Sequence, residues 1–334
     1  MDLYCYAGTH AFFNLADDPE LFAAAREARG IVFAGEEIVS RPYHKFFNAG
    51  EHAEYPVHVP EEHIIRDGVV LEKLDGSMIA GVQVGNSIFW GTKMWADEFH
   101  HEISQFDDGK YEEFAKQANR DGYTPIFEWV SPKRKIVIPY EKENLILTGM
   151  RHKETGAYLP YEDMVSYAGD IPVVQQCSKD DLMEALNGTD REDMEGYVVR
   201  HPDGEMLKVK LDWYVAVHEY ASSRKAILKA IHDDKIDDVI SILNRYEATR
   251  SLVAEVEALT KDFGKFVQSK VDEIVGMVED RKHMSRKEFA LDIQGYDKYW
   301  KPVLFQVRTE QENGGNLVLL ADKLVRERAG KILG

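Results

Sequence analysis

The sequence predicts an α+β domain of antiparallel sheets with flanking helices over residues 1–221, followed by an all-α domain over residues 222–334. Three observations lead there. Before residue 220, short apolar runs rich in β-branched and aromatic residues are separated by Gly, Asn, Asp and Pro turn signals, the pattern of hairpins. After Ser222 the apolar residues recur at helical spacing. The charge changes at the same place: residues 1–220 hold 21 Lys and Arg against 40 Asp and Glu, and residues 221–334 hold 20 against 19.

The elements follow in order. Asp18-Pro19-Glu20 supplies a helix N-cap, a proline for the first turn and an acid near the positive end of the dipole. That helix is predicted to run to about Ala28, before a strand at Ile31-Val32-Phe33. Ile79 to Thr92 reads as a hairpin turning at Gly85-Asn86. Pro125 to Val130 and Asn144 to Thr148 read as strands. Tyr197-Val198-Val199 and Met206 to Lys210 form a second hairpin across Pro202-Asp203-Gly204. In the tail, Leu252, Val256, Leu259, Phe263, Phe266, Val267, Val271, Ile274 and Val278 mark one face of a long helix. Ser285-Arg286-Lys287-Glu288 is a capping box that opens another.

The composition, 44% hydrophobic and 30% charged over 334 residues, is that of a soluble globular protein with a sizeable core. No run approaches the roughly 18 apolar residues of a membrane span, and the first residues do not form a secretory signal. Cys5 and Cys177 are the only cysteines, so a reducing, cytoplasmic setting is expected. A net charge of −18 argues against non-specific coating of DNA. It leaves room for a small basic site inside an acidic shell.

Four segments carry candidate chemistry. The first is Lys73-Leu74-Asp75-Gly76-Ser77. A lysine amine is a nucleophile only when deprotonated, and burial or neighbouring cations favour the neutral amine. Gly76 permits a close approach of backbone to phosphate or an unusual turn. The same five residues also suit an exposed turn between strands. In Lys208-Val209-Lys210 the two lysines share one face of a strand. They either grip a phosphate together or protect a solvated edge strand. Glu195-Gly196-Tyr197-Val198 offers a carboxylate beside them, either a ligand for a hydrated divalent ion or a turn acid. Phe127-Glu128-Trp129 sets one acid between two aromatics, as a site residue or as the solvent-facing member of a core strand.

In order and approximate spacing these four segments resemble the covalent nucleotidyltransferase superfamily of DNA ligases, RNA ligases and capping enzymes. Arg29-Gly30-Ile31-Val32-Phe33, Ser40-Arg41-Pro42-Tyr43-His44-Lys45-Phe46-Phe47-Asn48, Arg151 to Tyr158 and Lys210-Leu211-Asp212-Trp213-Tyr214 narrow the resemblance to the phage RNA ligase 1 family, which repairs cut tRNA. The resemblance covers roughly residues 4–220 and only loosely the tail. It implies a nucleotidyltransferase domain of the ATP-grasp-like ligase type, ATP and Mg²⁺ or Mn²⁺ as reactants, and RNA with 5′-phosphate and 3′-hydroxyl ends, possibly tRNA, as partner. It further implies a monomer working in the cytoplasm, that of the host if the source is a phage.

The roles implied for individual residues are these. Lys73 carries AMP. Arg29 and Lys45 contact the ATP phosphates, and Glu128 meets the nucleoside sugar. Lys208 and Lys210 contact the α-phosphate. Glu195 assists the metal, Lys93 acts as a further catalytic lysine, Tyr4 lies near ATP, and Asp237 belongs to a metal-linked acidic pair. The sequence departs from the family at Met94-Trp95, where small residues are usual, and in a short segment before Arg29. A DNA ligase, a guanylyltransferase or a catalytically inactive RNA-binding or nucleotide-sensing protein are the competing expectations.

Overall fold

The computed structural model describes residues 1–6, 18–51, 67–95, 97–187, 191–233 and 235–333. Two compact units divide the chain, Met1–Val215 and Ala216–Gly334.

The first unit holds three sheets. β1 (Asp2–Cys5), β2 (Arg29–Ala34) and β3 (Glu37–Ser40) form an antiparallel sheet in that order. Between β1 and β2 the helix Pro19–Glu27 starts as its sequence dictates. The Asp18 carboxylate accepts the Leu21 amide at 3.0 Å, and Pro19 occupies the first turn.

β4 (Phe47–Asn48), β5 (Val69–Lys73), β10 (Gly196–Arg200) and β11 (Met206–Lys210) form a sheet ordered β4-β11-β10-β5. β10 is antiparallel to both β5 and β11, and the short β4 runs parallel to β11. β11 is thus an interior strand, and the edge-strand reading of Lys208 and Lys210 does not hold. β6 (Ser77–Val84), β7 (Ser87–Gly91), β8 (Tyr123–Val130) and β9 (Asn144–His152) form the third sheet, ordered β7-β6-β8-β9 and antiparallel throughout. The predicted hairpin is β6–β7, with Gly85 in the left-handed region (φ 61) at its turn. The strand expected to end at Thr148 continues to His152.

The main core lies under this third sheet. Ile79, Trp90, Phe127, Trp129, Leu145 and Leu147 pack against Ala115 and Ala118 of the helix Lys110–Arg120. Burial of large aromatics dominates such a core.

The sheets β4-β11-β10-β5 and β7-β6-β8-β9 meet where β5 hands over to β6. Lys73 ends one strand and Ser77 begins the other, with only Leu74, Asp75 and Gly76 between them. The nucleophile candidate therefore sits at a crossover between sheets.

The second unit is helical. Its long helix, Arg250–Asp280, buries Val253, Val256, Phe263, Val267, Val271, Ile274 and Val278. Six of the nine predicted stripe residues are buried; Leu252 and Leu259 are half-buried, Phe266 is 38% exposed, and Val253 joins the buried face. Ser285 and Glu288 form the expected capping box of the helix Arg286–Asp292.

Candidate active site

Strand register brings the candidate residues together. Gly196 of β10 pairs with Lys73 on one side and Lys210 on the other. Side chains alternate along a strand, so Lys73, Lys210 and Lys208 project from the same face of the sheet. Gly196 admits no side chain. A Cβ there would lie 2.1 Å from the Val209 carbonyl oxygen, well inside van der Waals contact.

Glu195, immediately before β10, is 4% exposed and places its carboxylate between two ammonium groups. Lys73 Nζ lies 2.5 Å from one oxygen and Lys210 Nζ 3.0 Å from the other. A buried carboxylate of this kind is tolerated only because it is paired. Lys210 also lies over the Tyr214 ring, 5.0 Å from its centroid.

Lys208 is held differently. Its Nζ donates to the Phe46 carbonyl at 3.3 Å and lies 4.4 Å from the centre of the Phe46 ring. Burial pushes its pKa well below that of an ordinary lysine, and Arg29, Lys73 and Lys45 push it further in the same direction. Lys45 is buried too, 3.3 Å from Glu51 and 4.4 Å from the centre of the Phe47 ring.

A cavity of about 250 Å³ opens at this face, lined by Arg29, Lys73, Met78, Glu128 and Lys208 among others. The Arg29 guanidinium donates to Met78 Sδ at 3.0 Å. Glu128 is not a solvent-facing residue. Burial pushes its carboxyl up to about 7, against the pull of Lys73 and Arg29 and with Glu195 adding to the rise.

Two further residues of the first segment have structural roles, and that of Asp75 was not assigned from the sequence. Asp75, 3% exposed, accepts the Val137 and Ile138 amides at 2.8 Å each and the Tyr214 hydroxyl at 2.7 Å. Its own amide donates to the Tyr140 hydroxyl at 2.9 Å. Gly76 packs on β8, where an added Cβ would lie 2.4 Å from the Trp129 carbonyl oxygen and 3.0 Å from Glu128 Cγ. The close backbone approach expected of Gly76 is made to the protein's own strand. The sequence signal for Asp75 was present in Lys210-Leu211-Asp212-Trp213-Tyr214, which supplies Tyr214.

Two candidates of the first unit, Tyr4 and Lys93, do not line this cavity, and a third, Asp237, belongs to the second unit. Tyr4 is 54% exposed, stacks edge-on against Phe33 and lines a separate cavity with Ala24, Ile31 and Ile38. Lys93 is exposed, with Nζ 5.4 Å from the Tyr6 ring centre. Its backbone packs under Gly30 (φ +88), whose added Cβ would lie 2.8 Å from Lys93 Cα. Asp237 is exposed in the first turn of the helix Ile236–Leu243, in the second unit.

The donor set suits a phosphorylated nucleotide and a hard cation. Arg29, Lys73 and Lys208 present an excess of basic side chains to one cavity. Among the described residues no three His, Cys, Asp or Glu side chains converge as a ready-made cage. A divalent ion would rely on Glu195, water and the phosphates of the nucleotide, the style of coordination Mg²⁺ prefers.

The fold is α+β, with antiparallel sheets and flanking helices in the first unit and helices in the second. A family model described as RNA ligase matches residues 27–214. The chain is 30% identical over 281 residues to the "Putative RNA ligase" of Thermovibrio ammonificans, covering 76% of this chain and 71% of that one. It is 27% identical over 280 residues to RNA ligase 1 of bacteriophage TS2126, covering 75% and 67%. Among solved structures, an archaeal ATP-dependent RNA ligase aligns with TM-score 0.45 and 13% identity over 74% of this chain and 69% of that one. The chain belongs to the RNA ligase family, whose members join RNA ends.

Proposed function

We propose that this ligase seals RNA 5′-phosphate and 3′-hydroxyl ends with ATP through an AMP carried on Lys73. The observation that carries the proposal is the position of Lys73. Its amine stands at a cavity lined by Arg29, Lys208 and Glu128, 2.5 Å from the buried carboxylate of Glu195.

In the first step the neutral Lys73 amine attacks the α-phosphorus of ATP. A P–N bond forms, and the P–O bond to pyrophosphate breaks with its electron pair leaving on oxygen. Glu195 is the acceptor within reach of the lysine proton. In the second step an oxygen of the RNA 5′-phosphate attacks the same phosphorus, and the Lys73 amine leaves and regains a proton. In the third, an RNA 3′-hydroxyl displaces AMP and the phosphodiester closes. In-line phosphoryl transfer asks the protein mainly for position and charge neutralisation. Lys208 and Lys210 serve the α-phosphate, Arg29 and Lys45 the outer phosphates, and Glu128 the sugar. A divalent ion, Mg²⁺ or Mn²⁺, supplies further neutralisation of the phosphates when bound, with Glu195 to hold it.

We assign adenylyl transfer to residues 1–221 and the choice of RNA, with tRNA the candidate, to the helices beyond. Lys93 enters as a further catalytic lysine, Tyr4 as a contact to ATP and Asp237 as a metal ligand. Incubation with ATP and Mg²⁺ is expected to raise the intact mass of the protein by one AMP and to leave Lys73→Ala unshifted. An AMP adduct on Lys73→Ala would overturn the assignment.

A further inference from the structure

A second cavity, of about 470 Å³, lies in the first unit beside the helix Pro19–Glu27 and the β10–β11 turn. Its lining includes Arg26, His44, Arg151 and Arg200, all buried, and Asp67 and Asp203, both exposed. The floor is therefore basic and the rim acidic. Two floor arginines are already neutralised, Arg26 by Glu205 at 3.0 Å and Arg151 by Glu27 at 2.6 Å.

Arg200 is not neutralised in this way. It is 5% exposed, and only its Nη2 is used, donating to the Thr148 carbonyl at 2.6 Å and the Tyr43 hydroxyl at 3.1 Å. Its Nε and Nη1 are buried and have no acceptor among the described residues. A buried guanidinium without a carboxylate is costly to keep.

His44 adds a third orphan. Its backbone amide donates to the Tyr158 hydroxyl at 3.2 Å, and its Nδ1 lies 2.8 Å from the same oxygen. The Tyr158 proton has no other protein acceptor among the described residues, so it goes to Nδ1, and the ring's own proton stays on Nε2. Burial, followed by Arg26 and Arg151, pushes the His44 pKa down to about 3, so the ring is neutral. Nε2 is buried with no partner. Arg200 and His44 flank one tyrosine, their guanidinium carbon and ring centre each 5.7 Å from the Tyr158 ring centre.

Three orphan donors under a basic floor call for a ligand rich in acceptors and negative charge. The exposed Asp203 carboxylate at the rim suits a hydroxyl donor such as those of ribose. The volume suits a whole nucleotide rather than a bare ion. We propose that this cavity is a second nucleotide site, which takes a phosphomonoester with its phosphate turned toward Arg200 and His44. Arg200 also lines the Lys73 cavity, so it forms part of the wall between the two sites. The proposal does not depend on the lysyl-AMP mechanism.

The test is equilibrium dialysis of labelled 5′-AMP against the full-length protein, after ATP and Mg²⁺ treatment with the covalent adduct verified by mass. Failure to form the adduct would bear on the mechanism alone, and the dialysis then runs on the unmodified chain. One further equivalent of AMP is expected to bind, and His44→Asn is expected to weaken it at least tenfold. Asparagine keeps an acceptor for the Tyr158 hydroxyl while removing the Nε2 donor. Arg200→Met is expected to weaken binding likewise. Displacement by a 5′-phosphorylated oligoribonucleotide and not by its 5′-hydroxyl form assigns the site to a strand end. Displacement by inorganic phosphate and unlabelled AMP alone assigns it to free nucleotide. The absence of saturable binding, or equal binding by His44→Asn, overturns the proposal.

Discussion

The Tyr214 hydroxyl donates to the buried Asp75 carboxylate at 2.7 Å, across 139 residues of chain. Asp75 stands two residues after Lys73, and Tyr214 follows β11, which carries Lys208 and Lys210. One hydrogen bond thus fastens the turn after Lys73 to the end of the strand that carries Lys208 and Lys210. Removing it should act on position more than on binding.

Tyr214→Phe is expected to leave a charged acceptor short of one partner and to cost about 1.5–3 kcal/mol of stability. Adenylation should slow at saturating ATP, with little change in the ATP concentration that half-saturates the reaction. Thermal melts and single-turnover labelling check both halves. An unchanged rate at saturation would detach Asp75 from the placement of Lys73.

Gly76→Ala adds a carbon 2.4 Å from the Trp129 carbonyl oxygen. Backbone cannot yield as a flexible side chain can, so a loss of about 1–3 kcal/mol is expected. The β5–β6 crossover should shift with it. A lower melting temperature together with lost AMP labelling is the predicted pair of outcomes.

Lys208→Met should separate stability from function. Lys208 is buried among Arg29, Lys73 and Lys45, so replacing it with an apolar chain of similar length relieves like-charge repulsion. The variant is expected to melt at the same temperature as the parent or higher, while AMP labelling falls at least tenfold. Sites that carry destabilising charge for function commonly behave in this way.

Glu128 sets a pH dependence. Its carboxyl titrates near 7 in the folded protein against a reference value of 4.5, so between those values the native state binds more protons than the unfolded one. Stability from this group is present at low pH and is lost as pH rises toward 7, with a slope of at most about 1.4 kcal/mol per pH unit. Glu128→Gln cannot lose a proton. Its stability relative to the parent should therefore grow from pH 5 to pH 7.5 in parallel melts and then level off. A difference independent of pH would refute the shift.

Lys210→Ala removes one of the two cations on the Glu195 carboxylate. The protein is expected to fold, since Lys73 remains as a partner, but adenylation should fall by two orders of magnitude or more. A folded variant with normal labelling would take Lys210 out of the site.

Much of this arrangement was legible in the sequence, for identifiable reasons. The strand period of two places Lys208 and Lys210 on one face from their spacing alone. Capping residues announced the helices at Pro19 and Arg286, and helical spacing announced the long helix after Arg250. Pairings across distant segments were not legible. Nothing local says that Gly196 lies between Lys73 and Lys210, that Asp75 is satisfied by Tyr214, or that β11 is an interior strand. Those are matters of register and sheet order, and many sequences share the same local pattern. Tyr4 is a further case. A short likeness suggests a place near the nucleotide, and the strand register that sets its neighbour Cys5 opposite Arg29 and its ring edge-on against Phe33 could not be read from the sequence. Arg200 left only a faint trace, a charge on the same strand face as Gly196 and Val198.

The carboxylate shared by Lys73 and Lys210 gives the site a way to register its own loading. On the proposed pathway the nitrogen of Lys73 loses its positive charge once it is bonded to phosphorus, and Glu195 then keeps a single cation where it had two. One face of a buried anion is freed at the moment AMP is stored. The loaded enzyme has therefore lost the positive charge of Lys73 and gained the negative charge of the AMP phosphate at a fixed point, before any strand of RNA arrives. A ligase built this way holds a memory of its first substrate in the balance of three side chains, and the second substrate meets a site already rewritten by the first.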